Sequence, residues 1–208
     1  MNILIDQARI SGFRGIANVE MSLPRVTVLI GTNNSGKTSI IKALQLALGD
    51  YSRYLTEEDF HDDNDGHVAE CIVIDIRIVA VDANSKRVKT FQAEWLEELG
   101  DIIQSEPDGS QFVVIRTKCE RDKVRGGFLT ARFWLEAWPE FDGWIDVKTI
   151  SKRQIRKRFD ALPFISIDAQ RDIHQELREK TSYIGKVLAS VEYEDEDVEE
   201  LEKMVADI

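Results

Sequence analysis

The apolar positions change period along the chain, and each change predicts an element. Ile3-Leu4-Ile5 and Ala8-Arg9-Ile10, then Val19-Glu20-Met21-Ser22-Leu23, with Gly12 and Gly15 between them, read as strand, turn, strand. Val26-Thr27-Val28-Leu29-Ile30, introduced by Pro24, is short, apolar and β-branched and predicts a buried strand. From Ser39 to Leu48 the period becomes helical, with Ile41, Leu44 and Leu48 on one stripe and Gly49 as the stop. Residues 50–67 are polar and turn-like. Residues 68–138 are β-rich: Ile72, Ile74, Ile76 and Ile78 alternate with Val73, Asp75, Arg77 and Val79, Asp82–Lys86 supplies a turn, and Arg87–Leu96 is expected to return as a strand. Gln111–Glu120 and Gly127–Trp138 predict a second hairpin. Residues 149–160 read as a basic helix, Leu162-Pro163-Phe164-Ile165-Ser166-Ile167 as a strand, and Ile173–Val187 as a helix. Val191–Ile208, with Val198, Leu201, Met204 and Val205 among acids, reads as an exposed helix or the root of a helical arm. There is no internal repeat.

The junction between the second and third of these patterns carries the chemistry. Gly31-Thr32-Asn33-Asn34-Ser35-Gly36-Lys37-Thr38 is a complete G-x-x-x-x-G-K-[ST] loop, set between a strand-like run and a helix-like run. Gly31 and Gly36 permit turns where a side chain would clash. The backbone N–H groups of Asn33, Asn34, Ser35 and Gly36 and of the first helical turn, through Ser39, would then point at phosphates, assisted by the helix dipole. Lys37 would bridge the outer phosphates, and the Thr38 hydroxyl would ligate Mg²⁺. ATP and Mg²⁺ are the cofactors this implies.

Composition bounds the rest. A chain of 208 residues with 43% apolar content makes one large domain, or one domain with an inserted lobe. No run approaches the ~18 apolar residues of a membrane span, and the start lacks the basic region and apolar core of a secretory signal. With Cys71 and Cys119 each in a strand-like run, the expectation is a cytoplasmic protein with reduced thiols. The net charge of −11 is local: nine acids and a single lysine between Glu192 and Ile208 leave only three net negative charges elsewhere. An acidic chain speaks against broad nucleic-acid binding, but Lys148, Lys152, Arg153, Arg156, Lys157 and Arg158 form one basic stretch. That stretch reads as a solvated face or as a DNA contact.

Other clusters resemble sites without completing them. His61-Asp62-Asp63-Asn64-Asp65-Gly66-His67 fails as a calcium loop, because placing Gly66 sixth puts His61 first and Ile72 twelfth; it reads as a solvated loop. The aromatic residues between Trp95 and Trp144 read as a sheet's packing face, with base stacking as the alternative. Cys71–Asp75 and Phe164–Asp168 each resemble the strand of four apolar residues plus Asp that supplies a second magnesium contact, but neither carries the following Glu. The catalytic residues are not assigned.

Three segments together resemble a family. Ile10-Ser11-Gly12-Phe13-Arg14-Gly15-Ile16 is similar to the "FRG" opening of RecF/SMC-like ABC ATPases. The Asn33-Asn34 form of the phosphate loop, Leu55-Thr56-Glu57-Glu58-Asp59-Phe60 and Asp168-Ala169-Gln170-Arg171-Asp172 resemble OLD (overcoming lysogenisation defect) family proteins. The resemblance implies an α/β fold: a P-loop NTPase of ABC-ATPase type with an N-terminal β-meander and an inserted antiparallel β-rich lobe. Its parts would be 1–60 (meander, loop and first helix), 61–148 (β-rich lobe), 149–190 (basic helix, strand, Q-loop and following helix) and 191–208 (acidic helical tail). By position Gln170 matches the Q-loop glutamine that senses the γ-phosphate and Mg²⁺. Arg14 and Arg171 match family arginines near the nucleotide or the lobe junction, with salt bridging as the plainer alternative.

The resemblance further implies an ATPase head acting on DNA through a larger assembly, in anti-phage defence, with homo-oligomers formed by head engagement and a helicase-like or other defence partner. Family members pair the head with a Toprim nuclease. Without a signature motif or Toprim carboxylates among these residues, the chain is expected to be part of a longer protein that alone binds ATP weakly and hydrolyses it poorly. The alternatives are a RecF/SMC-like repair head without nuclease and a nucleotide-binding interaction module that docks a partner through residues 68–145.

Overall fold

A computed structural model of the chain describes residues 3–49, 55–63, 65–149 and 151–155. The chain divides into two units, Met1–Phe164 and Ile165–Ile208, and every described residue lies in the first.

The alternating segments assemble into one antiparallel sheet. β1 (Ile3–Phe13) and β2 (Ile16–Ser22) form a hairpin in which Phe13 faces Ile16 across Arg14 and Gly15. β3 (Cys71–Ala80) runs along the other side of β1, and β5 (Gln111–Arg121) runs along β3. The short β4 (Gln104–Ser105) and the longer β6 (Phe128–Leu135) both pair with β5. The strands before the phosphate loop and those after it therefore belong to one continuous sheet, ordered β2-β1-β3-β5-β4 with β6 also on β5. β1 and β3 sit inside it, which is why their alternation is so regular: one-residue slippage would turn the isoleucines of β3 away from the core.

Each face of the sheet has its own cover. Helix α1 (Lys37–Leu48) lays Ala43, Leu46 and Ala47 into a cluster with Ile10, Ile74, Ile76, Ile78, Val113 and Ile115. The opposite face carries charge. Arg9, Asp75 and Arg116 lie side by side on three neighbouring strands, each no more than 3% exposed. Arg116 grips Asp75 with two bonds of 2.7 Å and donates to the carbonyls of Trp144 and Val147, both at 2.6 Å. Arg9 stacks on Trp138 at 4.0 Å, bonds Glu20 at 2.6 Å and reaches the Pro139 carbonyl at 2.7 Å. The segment 138–147 is thus held over the charged face by arginines whose charges find partners there, the condition for burying them. Burial pushes the Asp75 carboxyl above its ordinary value, and the Arg116 guanidinium pulls it back.

Four expectations change. The buried stripe of α1 is Ala43, Leu46 and Ala47, and Ile41 is 44% exposed. Val26–Ile30 joins no strand: Val26, Val28 and Ile30 are 76, 72 and 91% exposed. A strand needs a neighbouring ladder, and no described segment pairs with this one. Arg87–Leu96 does not return as a strand. Only Arg87 bridges, to Val81, and Ala93–Leu99 forms helix α2, burying Trp95 and Leu99 four residues apart. Its Ala-Glu-Trp-Leu-Glu-Glu-Leu composition favours that outcome, and the edges of β3 are already taken by β1 and β5. Residues 149–155, as far as they are described, are not an α-helix: Ser151–Arg153 makes one 3₁₀ turn, and Gln154 and Ile155 then line the free edge of β6. The hairpin expected at Gln111–Trp138 is present as β5 and β6, turning through Asp122–Gly127. The concentrated aromatic residues act mainly in packing, with Trp95, Phe112 and Trp144 buried and Phe60 stacked on Phe128.

Candidate nucleotide site

The phosphate loop leads directly into α1. Asn34 (φ +65°) and Gly36 (φ +87°) both take left-handed backbone, and the Ser35 amide reaches back to the Thr32 carbonyl at 3.3 Å. Gly36 suits that conformation because it has no Cβ. At Gly31 a Cβ would meet the Ser35 hydroxyl at 2.5 Å, so a larger residue there would have to turn the Ser35 side chain away. Lys37 is the first residue of α1, and its side chain folds over the loop, donating to the carbonyls of Gly31 (2.8 Å) and Thr32 (2.5 Å) and lying 3.3 Å from the Ser35 hydroxyl. Residues Gly31–Ser35 and Thr38 are exposed.

The electrostatics suit an anion. The helix has no side-chain cap and no acidic residue in its first turn. Nothing on α1 therefore neutralises the positive end of its dipole. Left-handed turns next to a helix start gather backbone N–H groups into a concave anion site. The residues fit a nucleotide's phosphates: a glycine-permitted cradle, an uncapped helix start, an ammonium beside the loop and an exposed hydroxyl at Thr38 for a metal.

Arg14 is placed differently from the loop residues. It sits in the β1–β2 turn at φ +49°, its Nε donates to Asp59 Oδ1 at 2.7 Å, and its guanidinium lies 5.4 Å from the Phe13 ring. The turn is stapled to the Thr56–His61 segment. The Arg14 amide reaches the Asp59 carbonyl at 2.9 Å, the His61 amide reaches the Gly12 carbonyl at 2.9 Å, and His61 Nδ1 lies 2.5 Å from the Arg14 carbonyl. Gly12, at φ +71°, is needed there because a Cβ would run into the Cys71 carbonyl. Arg14, Gly15, Thr56, Glu58, Phe60 and Asp62 line an open cleft of about 490 Å³. Two of the family-like segments, Ile10–Ile16 and Leu55–Phe60, thus meet in space. Gln170 and Arg171 lie outside the described residues, as do Arg156, Lys157, Arg158 and the segments at 162–167, 173–187 and 191–208.

The remaining clusters have structural uses. Asp63 accepts from the amides of Asp65 and His67 at 3.0 and 2.9 Å, an acidic residue shaping its own loop. The His67 amide in particular holds the Asp63 carboxyl below its ordinary value. No group of three or more His, Cys, Asp or Glu side chains poised for a metal occurs among the described residues. In the basic stretch, Arg153 is engaged by Asp101 (2.9 Å) and Glu136 (3.3 Å), while Lys148 and Lys152 are exposed. No helix among the described residues is long and apolar enough to cross a membrane.

Sequence reading missed two residues around α1 and the β1–β2 turn. Asp59 is buried and holds Arg14; the Thr56-x-x-Asp59 spacing signals a capping box, but nothing in the run of three acids marks which one reaches Arg14. Arg132 on β6 reaches the end of α1, and β6 carries no clean alternation to mark which of its side chains face inward.

Comparison with known proteins places the chain in a family. The family model described as "Protein of unknown function (DUF2813)" matches residues 3–191. The chain belongs to the DUF2813 family. No curated protein matches it. Among solved structures, one titled "Structural biochemistry of ATP-driven dimerization and DNA stimulated activation of SMC ATPases" is 16% identical with a TM-score of 0.41, covering 68% of this chain and 75% of that one. Another, titled "Crystal structure of the SmcHead bound to the C-winged helix domain of ScpA", is 17% identical with a TM-score of 0.40, covering 68% of this chain and 39% of that one.

Proposed function

We propose that this DUF2813 chain is the nucleotide-binding part of an ATPase head, with Mg²⁺-ATP held at Gly31–Ser39. One observation carries the reading: a full phosphate-loop sequence adopts left-handed turns at Asn34 and Gly36 and runs into an uncapped helix start with Lys37 folded over the loop. The backbone amides of the loop and first turn would bind phosphate oxygens, and the Gly36 turn would orient them. Lys37 would exchange the Gly31 and Thr32 carbonyls for phosphate oxygens. Thr38 would hold the metal, and Gln170, by its resemblance to a Q-loop glutamine, would be a second ligand. Bound Mg²⁺ supplies charge neutralisation between the outer phosphates.

The wider reading is an OLD-like, DNA-directed machine in anti-phage defence, in which ATP engages two heads and so regulates DNA binding or cleavage. Its support is the combination of the Ile10–Ile16, Leu55–Phe60 and Asp168–Asp172 segments with the loop. Arg14 and Arg171 belong to that wider reading, and Arg14 already bonds Asp59 through Nε.

Titration with a fluorescent ATP analogue in the presence of Mg²⁺ tests the site. Wild type should bind saturably and Lys37→Ala should lose binding by at least about tenfold, as expected for removing a charge that faces phosphate. Equal affinity in the two proteins would refute the assignment.

A further inference from the structure

Helix α1 joins the phosphate loop at one end and a single arginine at the other. The arginine comes from more than eighty residues away. Arg132 on β6 donates from Nε to the Ala47 carbonyl at 2.7 Å and from Nη2 to the carbonyls of Leu46 and Gly49, both at 2.9 Å. These are last-turn and capping carbonyls, groups that a helix leaves without partners of its own. α1 carries no basic residue in its last turn, so Arg132 supplies from the sheet the cation that the negative end of the dipole favours.

Arg132 is itself firmly placed. It lies in β6 opposite Thr117 of β5, and its carbonyl accepts the Ile155 amide at 2.8 Å. The guanidinium fork matches three fixed acceptors, whereas an ammonium offers one point of charge. α1 is 12 residues long, which makes about 18 Å of rigid rod between the two ends.

We infer that Arg132 is a positioning residue for the nucleotide site: by clamping the C-terminal carbonyls of α1 to β6, it sets the axial position and order of the amides of Lys37, Thr38 and Ser39 that receive phosphate. The inference rests on the proposed nucleotide site. A displaced α1 would offer its first-turn amides out of register with the loop, so affinity falls although no phosphate contact is removed.

The test compares wild type, Arg132→Gln, Arg132→Lys and Arg9→Gln in the 208-residue chain. Arg9 is buried under Trp138 on the other face of the sheet, so its substitution controls for general loss of stability. Two quantities are read: affinity for the fluorescent ATP analogue, at a temperature where each protein is folded, and amide hydrogen exchange along α1 without nucleotide. Arg132→Gln should weaken binding roughly five- to tenfold, the scale of a modest coupling between sites. It should also speed exchange from the last turn back to Lys37–Ile40. Arg132→Lys should fall between it and wild type, and Arg9→Gln should leave affinity unchanged.

Unchanged affinity in Arg132→Gln, or an equal loss in Arg9→Gln, overturns the inference. If wild type does not bind the analogue, the nucleotide reading is what fails. The exchange data then still decide the mechanical part: faster exchange reaching Lys37 upholds the clamp, and a change confined to Leu46–Gly49 overturns it.

Discussion

Arg14 Nε lies 2.7 Å from Asp59 Oδ1, while the other oxygen of Asp59 accepts the Thr56 amide at 2.9 Å. One buried carboxylate thus ties the β1–β2 turn to the start of a 3₁₀ turn and closes a capping box there. The pairing gives Arg14 a structural occupation whatever else it does, and it explains how an arginine tolerates φ +49°, a backbone region that costs most residues roughly 1 kcal/mol.

Removing Asp59 should therefore be felt well beyond one side chain. Asp59→Ala leaves the Thr56 amide and the Arg14 guanidinium without this acceptor, a loss of about 1–3 kcal/mol. Asp59→Asn keeps a carbonyl oxygen and should cost less. Urea unfolding monitored by tryptophan fluorescence reads both, and a midpoint for Asp59→Ala equal to that of wild type would show that the turn is held by other contacts.

The Asp75–Arg116 pair makes a larger demand. Both side chains are inside, and three of the Arg116 bonds run to backbone carbonyls of the covering segment. Asp75→Ala strands a buried guanidinium and should cost about 3–5 kcal/mol. Removing both charges with Asp75→Ala and Arg116→Met should cost less than the two single losses added, because neither charge is then left unpaired. Additive losses in chemical denaturation would mean the two residues act separately.

Much of the sheet was legible because β1 and β3 are interior strands with one face on α1, and burial on fixed faces imprints a period of two. The Gly31–Thr38 turn into α1 was legible because G-x-x-x-x-G-K-[ST] between a strand-like and a helix-like run fixes particular residues at particular spacings. The misread segments were apolar runs whose partners decide their state. Val26–Ile30 has strand composition but no ladder beside it among the described residues, and Arg87–Leu96 met a β3 whose edges were already filled. Long-range side-chain partners such as Asp59 for Arg14 and Arg132 for α1 left no periodic trace, since a single contact across many residues has no period.

The exposure of Val28 gives that contrast an experimental form. At 72% exposed, it has little apolar contact to lose, so Val28→Thr should shift stability by no more than about 0.5 kcal/mol. A buried strand residue such as Ile76, fully inside the core, should lose about 1 kcal/mol on mere trimming to valine. Parallel urea melts compare them, and a Val28→Thr loss as large as that of Ile76→Val would show that a partner covers the segment in solution.

Cys119 supplies a pH dependence with a definite sign. Burial pushes its thiol from an ordinary value near 9 up to about 11, offset in part by the Thr130 hydroxyl at 3.3 Å and the nearby Arg132 charge. The folded chain then keeps this proton at a pH where the unfolded chain releases it. Its contribution is fully present below pH 9 and is lost as pH rises towards 11, at most about 3 kcal/mol over that window. Other groups titrate in the same range, so the measurement is the stability difference between wild type and Cys119→Ala at successive pH values from 8 to 11. That difference should hold steady to pH 9 and then shrink, and a difference that stays constant through pH 11 would contradict a thiol held protonated by burial against α1 and β6.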